Sequence, residues 1–85
     1  MIEKELFINQ YKAVYARFME LINSSKDQNV KLDEYDKLIC DIETLIDVIP
    51  SVDGINTRDW KNKLVKVKQD IFNEMVMLNQ DELNY

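Results

Sequence analysis

Apolar residues recur every three or four positions between Leu32 and Pro50, and this is the clearest pattern in the chain. They are Tyr35, Leu38, Ile39, Ile42, Leu45, Ile46 and Ile49. At about 100° per residue this spacing places them on one side of an α-helix, whereas a β-strand would need alternation. Pro50 ends the helix, because the residue before a proline is disfavoured in α geometry. We therefore predict a helix over residues 33–49 with Asp33 as its N-cap.

Two further segments show the same periodicity. A helix predicted over residues 3–24 carries two neighbouring apolar stripes, which a helix needs if it touches two others. The stripes are Phe7, Tyr11, Val14, Phe18 and Leu21, and Ile8, Tyr15, Met19 and Ile22. A helix predicted over residues 58–79 follows the turn Asp53-Gly54 and has Thr57 as its N-cap. Its main stripe is Trp60, Leu64, Val67, Ile71, Met75 and Leu78, flanked by Val65, Phe72 and Val76.

Three amphipathic helices with two polar connections, residues 23–31 and 51–56, predict an all-α fold. The smallest arrangement in which each helix buries two flanks is an antiparallel three-helix bundle with up-down-up order. The composition agrees, because one Gly and one Pro are too few for the turns of a β architecture. We expect a single domain spanning residues 1–85, and a dimer of such bundles is an open alternative.

Acidic residues concentrate on the polar side of the second helix. They are Asp33, Glu34, Asp36, Asp41, Glu43 and Asp47, against the single Lys37. The six acids and one base account for a charge of −5, which equals the net charge of the whole chain. Such a balance argues against direct binding to nucleic acid or to an anionic membrane, since both require excess Lys and Arg. The acidic side of the second helix could serve either to keep the protein soluble or to bind a basic partner.

Basic residues concentrate in the first half of the third helix. They are Arg58, Lys61, Lys63, Lys66 and Lys68, against Asp59 and Asp70. Because the second and third helices are sequential neighbours, we expect these bases to meet the acids across the shared groove. Exposed pairs of this kind contribute only ~0 to 1 kcal/mol each.

Most catalytic templates do not fit this sequence. The chain has no His, which removes the commonest general base and metal ligand. Gly54 alone cannot form a phosphate-binding loop. Cys40 is the single cysteine and has no His partner, so we interpret it as a surface thiol in a reducing compartment. Asp36, Glu43 and Asp47 share a face, but one helix rarely closes a metal site. We expect no enzyme activity, no cofactor and no bound metal.

The N-terminal residues are charged where a signal peptide has its apolar region, and no apolar run approaches the ~18 residues of a membrane span. We therefore expect a cytoplasmic protein without a membrane partner.

Residues 71–78 of the third helix hold more apolar side chains than one side of a helix can bury. Phe72, Val76 and Met77 are predicted to form an intermolecular surface, in a homodimer or with another protein. Burial within the chain's own bundle is the alternative.

The layout of a long first helix, a polar loop, an acidic second helix and a long third helix resembles the flagellar and type III secretion chaperones such as the FliT family. We predict a small acidic protein-binding protein of the inhibitor, immunity, phage or plasmid accessory, or secretion-chaperone type. Its expected partner-contacting residues are Phe72, Val76, Met77, Asp36, Glu43 and Asp47. Two alternatives stay open. The acids of the second helix would imitate phosphates in a nucleic-acid mimic, or a small ligand would be sensed in a pocket lined by Tyr11, Tyr15, Trp60 and Lys68.

Overall fold

The computed structural model describes residues 1–83, with side chains described through residue 79. Its α-helices are α1 (Lys4–Ile22), α2 (Gln28–Val48) and α3 (Thr57–Leu83), and a 3-10 turn, Ile49–Ser51, follows α2. The predicted all-α bundle of three helices is confirmed, and no strand is found within residues 1–83. A dimer remains a prediction.

Contacts between helix ends fix the up-down-up order. At one end, the backbone N–H of Ile2 donates to the carbonyl of Ser51 at 2.9 Å, and the Ile2 carbonyl accepts from the N–H of Asp53 at 3.2 Å. The start of α1 therefore lies against the connection that follows α2. At the other end, the side-chain amide of Gln28 donates to the carbonyl of Leu78. The start of α2 thus lies beside the C-terminal part of α3, as antiparallel packing requires.

The core forms around α2, which packs along both other helices, whereas α1 and α3 meet over a shorter stretch. Tyr35 and Ile42 of α2 are 1% and 0% exposed. The other buried side chains are Phe7, Val14, Phe18, Leu21, Leu38, Ile39, Leu45, Ile49, Val52, Leu64, Val67 and Ile71. All of them except Val52 belong to the apolar stripes predicted from the sequence, and Ile55 also packs against this core.

The meeting of α1 with α3 includes a cluster of aromatic rings around Trp60. Its indole lies edge-to-face with Phe7 and with Tyr11, at 5.2 Å between ring centroids in both cases. The ammonium of Lys63 covers the rings of Trp60 and Tyr11 at 4.9 and 5.4 Å. One turn further along α1, Tyr15 is 40% exposed, so the second stripe of α1 is only partly covered.

The predicted start of α2 at residue 33 was wrong. The helix begins at Gln28, and Asp27 rather than Asp33 is its N-cap, accepting a hydrogen bond from the backbone N–H of Asn29 at 3.3 Å. The polar side chains of residues 28–31 predict a loop, because such side chains compete with the helical backbone for hydrogen bonds. Gln and Lys are nevertheless adequate helix formers once a cap precedes them. Asp33 therefore lies inside the helix, where it is exposed.

The predicted N-cap of α3 was also displaced, by one residue. The side-chain oxygen of Asn56 accepts from the backbone N–H of Asp59 at 3.0 Å, and Thr57 is the first helical residue. The helix extends to Leu83 instead of ending at 79. Gly54 has a φ of +78°, a left-handed conformation that favours glycine in this turn.

None of the three helices, over the residues that are described, has the length and apolarity needed to cross a membrane.

Replacing Ile42 by Ala should lower the free energy of unfolding by ~2 to 5 kcal/mol, because the substitution leaves a cavity at the most buried position of α2. Urea unfolding followed by circular dichroism measures this loss. Cys40→Ala is the matched control, since Cys40 is exposed on the same helix. Equal stability of the two variants would contradict the assignment of the buried face.

Candidate protein-binding surface

The three apolar residues predicted to contact a partner are exposed but do not form one surface. Phe72, Val76 and Met77 are 44%, 52% and 56% exposed. Phe72 and Val76 lie one turn apart and point within about 40° of each other around α3, at 100° per residue. Met77 lies about 140° from Phe72 by the same geometry. Phe72 and Val76 are therefore treated together as the apolar pair, and Met77 faces a different side.

The three acidic residues predicted to contact a partner share one side of α2. Asp36, Glu43 and Asp47 are exposed and are separated by seven and four residues, which are helical spacings. We call them the acidic row. Other acids of α2 point elsewhere: Asp41 pairs with Arg17 of α1 at 2.7 Å, and Glu34 pairs with Lys26 at 3.0 Å.

Lys68 shows where the acidic row and the apolar pair meet. Its ammonium lies 3.5 Å from a carboxylate oxygen of Glu43 on α2 and 6.0 Å from the ring centroid of Phe72 on α3. The two groups therefore border one another along the groove between α2 and α3. We call the surface formed by the acidic row, Lys68 and the apolar pair the α2–α3 face. The contact between Lys68 and Phe72 could have been predicted from the sequence, because the two residues are four positions apart on one helix.

The expected pairing of the basic half of α3 with α2 is observed only for Lys68 among the described residues. Lys66 pairs within its own helix with Asp70 at 3.6 Å, and Lys63 covers the aromatic cluster. Lys66 lies about 160° around the helix from Lys68, so it cannot face the same neighbour. As a result, Asp36 and Asp47 have no ion-pair partner within the described part of the chain.

The four residues considered for a ligand pocket do not converge. Tyr11 contacts both Tyr15, at 6.0 Å between centroids, and Trp60, but Lys68 lies in the groove between α2 and α3. The cation that covers Tyr11 and Trp60 is Lys63. Lys68 therefore does not line a common ligand pocket with Tyr11, Tyr15 and Trp60.

Two surface clefts lie between α1 and α2, with volumes of about 440 and 330 Å³. Arg17 lines both, and its guanidinium is paired with Asp41. The larger cleft also contains Lys26 and Glu34, which pair with each other. Several charged side chains that line these clefts are thus already paired with one another. Among the side chains that the structure describes, residues 1–79, no three Asp, Glu or Cys side chains come together as a metal site would require.

Comparisons of the chain with protein-family models, with curated proteins and with solved structures found no match. The α2–α3 face combines two exposed apolar side chains with the charged row beside them.

Two phenols, one buried and one half-buried, have a raised pKa. Burial raises the pKa of Tyr35, and the carboxylate of Glu74 raises it further. Burial also raises the pKa of Tyr11, and the neighbouring Tyr15 adds to the effect. In the unfolded chain a phenol ionises near its ordinary pKa of about 10. The folded state therefore favours the neutral phenols more strongly than the unfolded state does.

This difference predicts a loss of stability in alkali. The contribution of Tyr35 is fully present below pH about 10 and is lost as the pH rises through the raised pKa of the folded state. Tyr35→Phe should therefore show a smaller decrease in unfolding free energy between pH about 9 and 11 than the parent. Urea unfolding at several pH values measures the slope, and the same comparison at pH about 7 is the control. An equally steep decrease in the variant would contradict the assignment.

Proposed function

We propose that the protein binds another protein through the α2–α3 face and catalyses no reaction. The observation that supports this most directly is the position of Phe72. Phe72 is 44% exposed beside an exposed Val76, at the border of the acidic row. Apolar side chains exposed together, with polar residues at their edge, commonly mark an interface in a soluble protein.

The two parts of the face would have different roles. A well-packed aromatic anchor supplies much of the affinity in protein interfaces, which suits Phe72 with Val76 beside it. Exposed carboxylates contribute mainly to the rate of association and to the choice of partner. The acidic row would therefore attract and orient a partner that the apolar pair then holds.

A binding role also agrees with the rest of the molecule. The clefts of the described residues are open and contain paired charges, and the chain has no His to act as a general base. We place the protein among small acidic binding proteins such as inhibitors, immunity proteins, phage or plasmid accessory proteins and secretion chaperones. The cytoplasm is the proposed compartment, because the lone thiol of Cys40 is exposed and suits reducing conditions.

Changing Phe72 and Val76 together to Ser should weaken partner binding while folding is retained, because both side chains are exposed. Met77→Ser is the matched control, since Met77 is equally exposed on the same helix but faces another side. The three tagged proteins are used for affinity purification from the native host, and recovered proteins are quantified by mass spectrometry. A partner identified with the parent is then purified and its Kd is measured for each variant.

We expect Met77→Ser to bind as the parent does and the double variant to bind at least ~10-fold more weakly, as a lost anchor predicts. Circular dichroism and thermal unfolding check that each variant is folded. Full binding by the folded double variant would exclude the apolar pair from the interface. Loss of binding in Met77→Ser alone would move the interface to another side of α3.

A further inference from the structure

We propose that the partner segment seated on the α2–α3 face is a cationic amphipathic α-helix. Its apolar side would cover Phe72 and Val76, and its Lys or Arg side chains would pair with Asp36 and Asp47. The inference rests on the proposed function and adds the chemistry of the partner to it.

The chain's own Lys68 shows which chemistry this groove accepts. Its ammonium binds Glu43 at 3.5 Å and lies 6.0 Å from the centre of the Phe72 ring. A cation on an aliphatic stem therefore fits between a carboxylate of α2 and the exposed aromatic ring of α3. Lys68 forms an ion pair only with Glu43, the middle residue of the acidic row. Among the described residues, the two ends at Asp36 and Asp47 have no such partner.

The spacing of those two ends fits a helix. Asp36 and Asp47 are eleven residues apart on α2, which is about 16 Å along the helix axis. Eleven residues make just over three whole turns, so two cations at the same separation on a partner helix also lie on one side of it. A partner helix aligned with α2 would thus meet both carboxylates at once. Apolar residues on its neighbouring side would then reach Phe72 across the groove.

A helix suits this surface better than a strand or a second copy of the chain. The groove runs between two packed antiparallel helices, and a third helix placed on it extends the same type of packing. A two-fold contact between copies would bring the same face of each copy together. Each copy would then bring its own acidic row into the contact, and like charges close together in an interface are unfavourable. A cationic partner removes this repulsion.

The test uses two synthetic helical peptides with the same apolar stripe, one with flanking Lys and one with flanking Glu. Binding to the full chain is measured by fluorescence anisotropy at low and high salt. We expect the Lys peptide to bind at least ~10-fold more tightly than the Glu peptide at low salt, with a smaller difference at high salt. Similar affinities for both peptides, or no binding of either, would overturn the inference.

Charge reversal locates the binding. Asp36→Lys with Asp47→Lys should weaken binding of the Lys peptide at least ~10-fold at low salt. Glu5→Lys with Glu20→Lys is the matched control, because it makes the same change in net charge at exposed positions of α1. Equal losses in the two variants would indicate attraction by net charge alone and would overturn a site on the acidic row.

Lys68→Gln tests whether Lys68 stands in for the partner's cation. The substitution releases Glu43 and the ring of Phe72 for the peptide, so the Lys peptide should bind about 2- to 5-fold more tightly, as expected for removal of one exposed pair. Weaker binding would mean that Lys68 itself supports the complex, and would overturn its role as a stand-in.

Two results would separate this inference from the proposed function. If a native partner depends on Phe72 and Val76 but the Lys peptide does not bind, the protein-binding function stands and the cationic helix is overturned. If sedimentation shows a dimer that the Phe72→Ser and Val76→Ser changes dissociate, the occupant is a second copy, and the cationic helix is again overturned.

Discussion

The apolar side of α2 is buried against both neighbouring helices, and this burial positions all three helices. Tyr35 and Ile42 are almost fully enclosed, and α2 is the helix that packs along both others. Each fully buried large apolar side chain contributes about 1.5 to 3 kcal/mol, whereas an exposed ion pair contributes ~0 to 1 kcal/mol. Apolar packing rather than ion pairing therefore determines the relative orientation of the helices. The charged residues occupy the exposed positions that remain.

The α2–α3 face follows from this arrangement. Because the side of α2 with Tyr35 and Ile42 is enclosed, its acids are restricted to the rest of the helix surface. Asp41 points toward α1 and pairs with Arg17, while Glu43 points toward α3 and pairs with Lys68. Among the described residues no further element covers the outer flank of α3, so Phe72 remains exposed beside these acids. An acidic and apolar surface on a small bundle suits contact with another protein.

The apolar stripes predicted the fold because 3.6-residue periodicity reports directly which side of a helix is buried. The stripe of α2, from Tyr35 to Ile49, agrees closely with the core. Helix starts were less predictable, since neighbouring residues such as Asn56 and Thr57 can both cap and only the backbone geometry selects one. Side-chain partners were harder still. The meeting of Lys68 with Glu43 and Phe72 depends on how α2 and α3 align, which a single helix pattern does not contain.

We propose that a partner occupies the groove between the acidic row and the apolar pair. Nuclear magnetic resonance can locate this partner, by mapping the shifts of the backbone amides during titration with the Lys-bearing peptide. We expect the largest shift changes along residues 36–47 of α2 and 68–76 of α3, with small changes in the Arg17 region of α1. Changes centred on α1, or on the side of α3 that carries Met77, would contradict it.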